Sequence, residues 1–403
     1  MKYLLHHLSL VTYHLLLLVS LSCSAQRAYH TVDFKASAKN FVDSISIEWN
    51  QNQVYVPVTM NGRQYRFLLD TGSGHVVYDD TPINGCREIG AIRSFDANNH
   101  TDTVKLLELP PITVGSVSFT GCQATLHHRA YRGPRSFDGV LGFDLMAKNI
   151  SAKIDVAARL LILTDRKNFF DHEGGSTAKY KLNHFVPYVE VSPFVGYSES
   201  VLFDTGSPNI YRMNRQSYDA AQKAVGDLVF MQTEGHATGR YAIGLHGTEA
   251  RGDVVFLTLD RLRLGDYSFT QLHTLTTQGD SHVGAGVLNY GAVVVNARKR
   301  QLRFLPYNDS VAVAINNRQL DIAFVSDHGR PAVGLVWQFG EPYEKGFREG
   351  DIILKINGRS VPDFLTFSNW YYEPGREYTF TLQDSRGFTR EVKWVRIPSS
   401  MMH

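Results

Sequence analysis

The turn Asp-Thr-Gly occurs twice in this chain, in the same setting each time. The first copy reads Phe67-Leu68-Leu69-Asp70-Thr71-Gly72-Ser73, and the second reads Val201-Leu202-Phe203-Asp204-Thr205-Gly206-Ser207. In both, an apolar strand runs directly into an acid. Desolvating a carboxylate is costly unless something pairs with it. Two such acids, each delivered by a buried strand, are therefore expected to face each other.

The surrounding sequence repeats in the same order. Leu109-Pro110-Pro111-Ile112-Thr113-Val114-Gly115 aligns without gaps on Leu259-Asp260-Arg261-Leu262-Arg263-Leu264-Gly265. Asp138-Gly139-Val140-Leu141-Gly142 then matches Asp280-Ser281-His282-Val283-Gly284, and Ile154-Asp155 matches Val295-Asn296. A long unit present in two copies implies two lobes, not a solenoid. The segments are short, β-branched and broken by turns, so both lobes are expected to be mainly β. Gln53 to Ser73 predicts a hairpin through Asn61-Gly62 that delivers the first acid. Asn214 is placed to cap a helix through Tyr218 to Val225, with Gly226 as its stop.

The second lobe is the longer between its acid and its hairpin. The extra length includes Gly235-His236-Ala237-Thr238-Gly239-Arg240-Tyr241, which reads as a mobile loop, either a flap over the site or plain surface. After Val311 the pattern changes again. Glu349-Gly350-Asp351-Ile352-Ile353-Leu354-Lys355-Ile356-Asn357-Gly358 predicts a turn, a buried strand and an Asn-Gly hairpin.

Lys2, the apolar stretch Leu8 to Leu21 and Ser22-Cys23-Ser24-Ala25 resemble a secretory leader cleaved after Ala25. Lipid attachment at Cys23 is the rival reading. The mature chain is then expected to be periplasmic or extracellular, with no transmembrane helix. A net charge of +2 gives no electrostatic case for nucleic acid. No Cys/His spacing suggests a metal site. Cys86 and Cys122 allow a disulfide or two free thiols alike.

The paired Asp-Thr-Gly-Ser turns, each followed by an apolar-apolar-Gly element, resemble the aspartic proteases of the pepsin and retroviral-protease superfamily from about Ile45 to Pro306. The segment Gly350 to Gly358 is similar to a PDZ domain. The resemblance implies a mainly β, two-lobed acid-protease β-barrel fold with a C-terminal PDZ-like domain. The implied division is leader 1–25, first lobe 26–172, second lobe 173–310 and PDZ-like part 311–398. It also implies a catalytic pair, Asp70 and Asp204, sharing one proton and activating water without a metal or organic cofactor. Thr71 and Thr205 would brace the turns. Gly72 and Gly206 would admit close backbone approach. Ser73 and Ser207 would donate to the outer carboxylate oxygens. The substrate would be a polypeptide, with a peptide ligand on the PDZ edge at Leu320 and Ile322. The alternative is a catalytically silent protease-fold protein that binds peptides through its cleft or PDZ part. The sequence departs from the family at His282, where the first copy has Val140, and it lacks a first-lobe flap tyrosine.

Overall fold

The computed structural model describes residues 31–396, apart from 97, 99 and 130–136. The leader and Cys23 lie outside the described residues. The protein is mainly β, organised in an 11-stranded, a 14-stranded and a 6-stranded sheet.

The first sheet is built on the hairpin Gln53–Met60 and Arg63–Leu69. Its turn, Asn61-Gly62, has positive φ at both residues (49° and 77°). That conformation matches the twist of the flanking strands, and Asn and Gly tolerate it. The acid strand Arg63–Leu69 runs parallel to Gly139–Leu141, with Leu69 opposite Leu141. The second acid strand, Tyr197–Asp204, runs parallel to His282–Gly284, with Asp204 opposite Gly284. The two copies of the repeat thus use one topology in one register.

The lobes are not independent. Ser151–Asp155 pairs with Gly291–Asn296, and Leu160–Thr164 pairs with Val42–Ser46, so first-lobe strands complete the 14-stranded sheet of the second. One apolar core, including Phe67, Leu69, Phe203 and Val283, runs through both. Burial of this kind is the main favourable term holding them together.

Two expectations need correction. Asn214 caps the helix by accepting from the Gln216 and Ser217 N–H groups, but the helix continues past Gly226 to Met231. Val225 leaves helical geometry (φ −141°, ψ 41°), so the chain bends there and resumes. The stretch Gly235 to Gly239 is not a loop. It belongs to the strand Thr233–Gly239, which pairs along Gly252–Leu264. The part of the extra length that projects is the small hairpin of Ile243–Gly244 and Gly247–Thr248.

The 6-stranded sheet has its own core around Phe347, Phe380 and Trp394. It is fastened to the second lobe. Trp337 stacks on Phe256 at 5.2 Å between ring centroids. Leu320 and Leu335 pack with Val254, Phe256 and Leu275. Arg240 pairs with Asp327 at 2.8 Å. Cys86 and Cys122 are free thiols, and burial pushes the Cys122 thiol up to about 12.

Candidate active site

Each acid stands where a buried strand ends and a tight turn begins. The Asp70 N–H donates to the Leu141 carbonyl at 3.1 Å, which ties the first turn to the parallel strand beside it. Carboxyl oxygens then fold back onto the turns. The Gly72 N–H donates to Asp70 Oδ1 at 2.8 Å, and the Gly206 N–H donates to Asp204 Oδ1 at 2.9 Å.

The two threonines join the turns. Both side chains are fully buried. The Thr71 N–H donates to Thr205 Oγ1 at 3.0 Å, and the Thr205 N–H donates to Thr71 Oγ1 at 3.0 Å. The hydroxyls in turn donate to the opposite acid strands: Thr71 to the Phe203 carbonyl at 2.6 Å, Thr205 to the Leu69 carbonyl at 2.8 Å. Every donor and acceptor in this buried ring is satisfied, so it locks one relative placement of the lobes.

That placement brings Asp70 and Asp204 into hydrogen-bonding contact. The glycines make room for it. A Cβ on Gly72 would stand 2.8 Å from Asp204 Cγ, and one on Gly206 would stand 2.6 Å from Asp70 Cγ, both inside any real contact. Asp204 is 8% exposed, while Asp70 keeps partial access to the cleft. Burial raises the pKa of Asp70 well above the ordinary carboxylate range, and the adjacent Asp204 charge and hydrogen bond add to the rise. Burial also raises Asp204, but the hydrogen bond from Asp70 and the Gly206 and Ser207 N–H groups oppose it. Two carboxyl groups this close resist ionising together, so the proton that the raised values favour belongs to the pair.

The two serines differ. The Ser73 hydroxyl is bonded to Asp70 and also reaches the Gly74 carbonyl at 3.1 Å. Ser207 supports Asp204 through its backbone N–H, at 3.2 Å, and not through its hydroxyl. The hydroxyl meets His282 Nε2 at 3.0 Å. His282 Nδ1 lies 3.0 Å from the Asp280 carbonyl, which can only accept. Nδ1 thus carries the ring proton and Nε2 accepts from Ser207. Burial lowers the His282 pKa to about 4, which keeps the ring neutral. The substitution at the apolar-apolar-Gly element has redirected a hydroxyl.

Two hairpins bound the cavity that the acids line. One, from the first lobe, pairs Arg87–Phe95 with Thr101–Glu108. The other is the projecting second-lobe hairpin. Their tips are bonded: the His246 N–H donates to Asp96 Oδ2 at 2.9 Å, and Asn98 Nδ2 donates to the Gly247 carbonyl at 3.1 Å. The His127 and His246 rings lie 5.1 Å apart. Between the bonded tips and the floor, Leu245 packs against Val76, Tyr78, Val140 and Phe137. Sequence reasoning missed this contact, since no pattern in one hairpin names its partner in another lobe.

The two C-terminal residues take different places. Ile322 opens the strand Ile322–Asp327, whose only strand neighbour among the described residues is Arg330–Val336. Its side chain is buried in the small sheet's core. Leu320 precedes the strand and packs, partly buried, against the second lobe.

No family model matches the sequence, and no curated protein matches it. Among solved structures the chain is similar to the aspartic proteinase from Irpex lacteus, at 12% identity and a TM-score of 0.42 over 66% of this chain and 97% of that one. It is also similar to Basic 7S globulin from soybean, at 12% identity and a TM-score of 0.39 over 66% of this chain and 94% of that one.

Proposed function

We propose that the chain is an exported aspartic endopeptidase. The observation that carries this reading is the contact between Asp70 and Asp204, held by the reciprocal Thr71–Thr205 bonds. In this reading the Asp204 carboxylate takes a proton from a bound water as its oxygen attacks the scissile carbonyl. Asp70 gives its proton to the carbonyl oxygen as charge develops there. As the resulting gem-diol collapses and the C–N bond breaks, Asp70 takes back a hydroxyl proton and Asp204 gives its proton to the leaving amine, which restores the starting pair. Two carboxyls and one shared proton suffice for the cycle, so the scheme calls for no metal or cofactor.

The C-terminal sheet reads as a PDZ-like accessory domain. Its strand Ile322–Asp327 has one edge without a strand neighbour among the described residues. Phe324 and Phe367 beside that edge line the same continuous depression, about 3240 Å³, as the two acids. An extended polypeptide could add to the edge as a strand and reach the dyad. Export is supported by the leader in residues 1–25. Among the described residues no helix is long and apolar enough to cross a membrane.

The test is cleavage of denatured protein by the purified chain. Asp70→Asn and Asp204→Asn should each lower the rate by about 10³-fold or more. Undiminished cleavage by either variant removes the assignment. One observation favours a second reading, a peptide-binding protein that does not cut: Leu245 already sits on the apolar wall beside the dyad. Peptide binding by the wild-type chain with no cleavage at any pH would select it.

A further inference from the structure

The internal repeat assigns partners across the two lobes. The parallel strands after each acid put Val140 opposite Val76 in the first lobe and His282 opposite Arg212 in the second. Since Val140 and His282 occupy the same repeat position, Arg212 is the counterpart of Val76. All four line the cavity that contains the acids. The first-lobe pair belongs to an apolar wall with Tyr78 and Phe137. Its second-lobe equivalent carries a guanidinium.

We infer that Arg212 is the recognition group of a second-lobe subsite that takes a substrate carboxylate, the side chain of an Asp or Glu residue flanking the scissile bond. This rests on the endopeptidase reading above. Arg212 is half-buried and makes no ion pair among the described residues. Its guanidinium is held by neutral oxygens: Nη1 donates to the Tyr211 carbonyl and Thr274 Oγ1, each at 3.2 Å, and Nη2 donates to Asn209 Oδ1 at 2.6 Å. The Tyr241 ring stands 5.7 Å away. Of the five N–H donors of an arginine, three are used. Nε has no partner.

Glu249 acts on Arg212 through its charge but makes no bond to it. Glu249 is buried and already fully engaged. Its Oε1 accepts from the Tyr241 and Ala242 N–H groups, each at 3.0 Å. Its Oε2 accepts from Thr277 Oγ1 at 2.6 Å and from the Gln278 N–H at 2.9 Å. His282, the cross-strand neighbour, is neutral. A cation held in a half-buried wall by neutral oxygens, with one Nη2 donor to spare beside the buried Nε, is complementary to a carboxylate, and charge-assisted bonds of this kind are the strong ones. A substrate lying across the dyad would then place an apolar side chain on the Val76 wall and an acidic one on Arg212.

The test uses the full chain and internally quenched peptides that are identical except for Glu, Gln or Ala at one position near the cleavage site, scanned on both sides. At one position on one side, the wild type should prefer Glu over Gln by about tenfold or more in kcat/KM. In Arg212→Met that ratio should fall to about one, and Arg212→Lys should retain an intermediate ratio. Thermal melting of each variant checks that it folds. Equal turnover of the Glu and Gln peptides by the wild type at every position overturns the inference while leaving the endopeptidase reading intact. If no peptide is cut, the endopeptidase reading fails. Binding of the same Glu and Gln peptides with a reduced scissile bond, read by fluorescence anisotropy, then decides the subsite, and equal affinity overturns it.

Discussion

Thr71 and Thr205 hold each other: each N–H donates to the other's hydroxyl at 3.0 Å, and each hydroxyl donates to the carbonyl preceding the other's acid. Four bonds thus close a ring across the lobe interface, between two fully buried side chains. Thr71→Val or Thr205→Val removes one hydroxyl and strands a buried N–H and a buried carbonyl. We expect a loss of about 2–4 kcal/mol in denaturant unfolding, together with reduced kcat. The serine variants, which keep the hydroxyl, should lose about 1 kcal/mol or less. Equal losses for valine and serine would mean that methyl packing, and not the bond ring, holds the lobes.

The dyad carries a stability signature independent of activity. Asp70 has a folded-state pKa raised above its unfolded value by burial and by Asp204. Its contribution to stability is therefore fully present below the unfolded pKa of about 3.9 and is lost as pH rises through the folded value. Asp70→Asn mimics the protonated form at every pH. The variant should melt higher than wild type at pH 7, and the gap should shrink as the pH approaches 4. A variant less stable than wild type at pH 7 would contradict the one-proton assignment.

His282 sets the chemistry of the second acid at one remove. Its Nε2 accepts the hydrogen bond from the Ser207 hydroxyl that could otherwise be donated to Asp204. His282→Val, the residue found in the first lobe, frees that hydroxyl. A new bond to a carboxylate favours its charged form. The acidic limb of the kcat/KM profile should therefore move to lower pH in the variant. An unchanged limb, with the variant folded, would show that Ser207 does not reach Asp204.

The C-terminal sheet should not be separable without cost. Trp337 stacks on Phe256, and Leu320 fills the space beside it. Trp337→Ala should cost about 3–5 kcal/mol, read as a lower midpoint in denaturant. Ending the chain at Pro306 also removes the strand Ala312–Ala314 from its pairing along Tyr267–Thr277. A truncation as stable as the full chain would show that this contact is incidental.

Much of the site was legible because it is local and duplicated. An acid after a buried strand, a threonine and a glycine are specified by adjacent residues, and the copy supplies the partner. The hairpin through Asn61-Gly62 was legible for the same reason, since turn chemistry is a two-residue signal. What sequence reasoning missed depends on distant partners. Gly235 to Gly239 looks flexible in isolation, yet it pairs with a strand whose inward residues fit it. Ser207 looks equivalent to Ser73 until His282 is placed beside it. The packing of Leu320 with Phe256 joins residues far apart in the chain. Arg212 was within reach of the alignment, as the counterpart of Val76, but only the cross-strand register fixes that match across the longer turn.

The bonded tips of the two hairpins change the topology of access. With the threonine ring below and the contacts of Asp96, Asn98, His246 and Gly247 above, a bridge that closes over the acids would make their passage an eyelet and not a trench. A trench accepts the flank of any protruding loop. An eyelet accepts a chain end fed through it, or a segment that arrives while the bridge is parted. Selection would then begin before any side chain is read, favouring substrates with slack, and turnover would carry the rhythm of a latch.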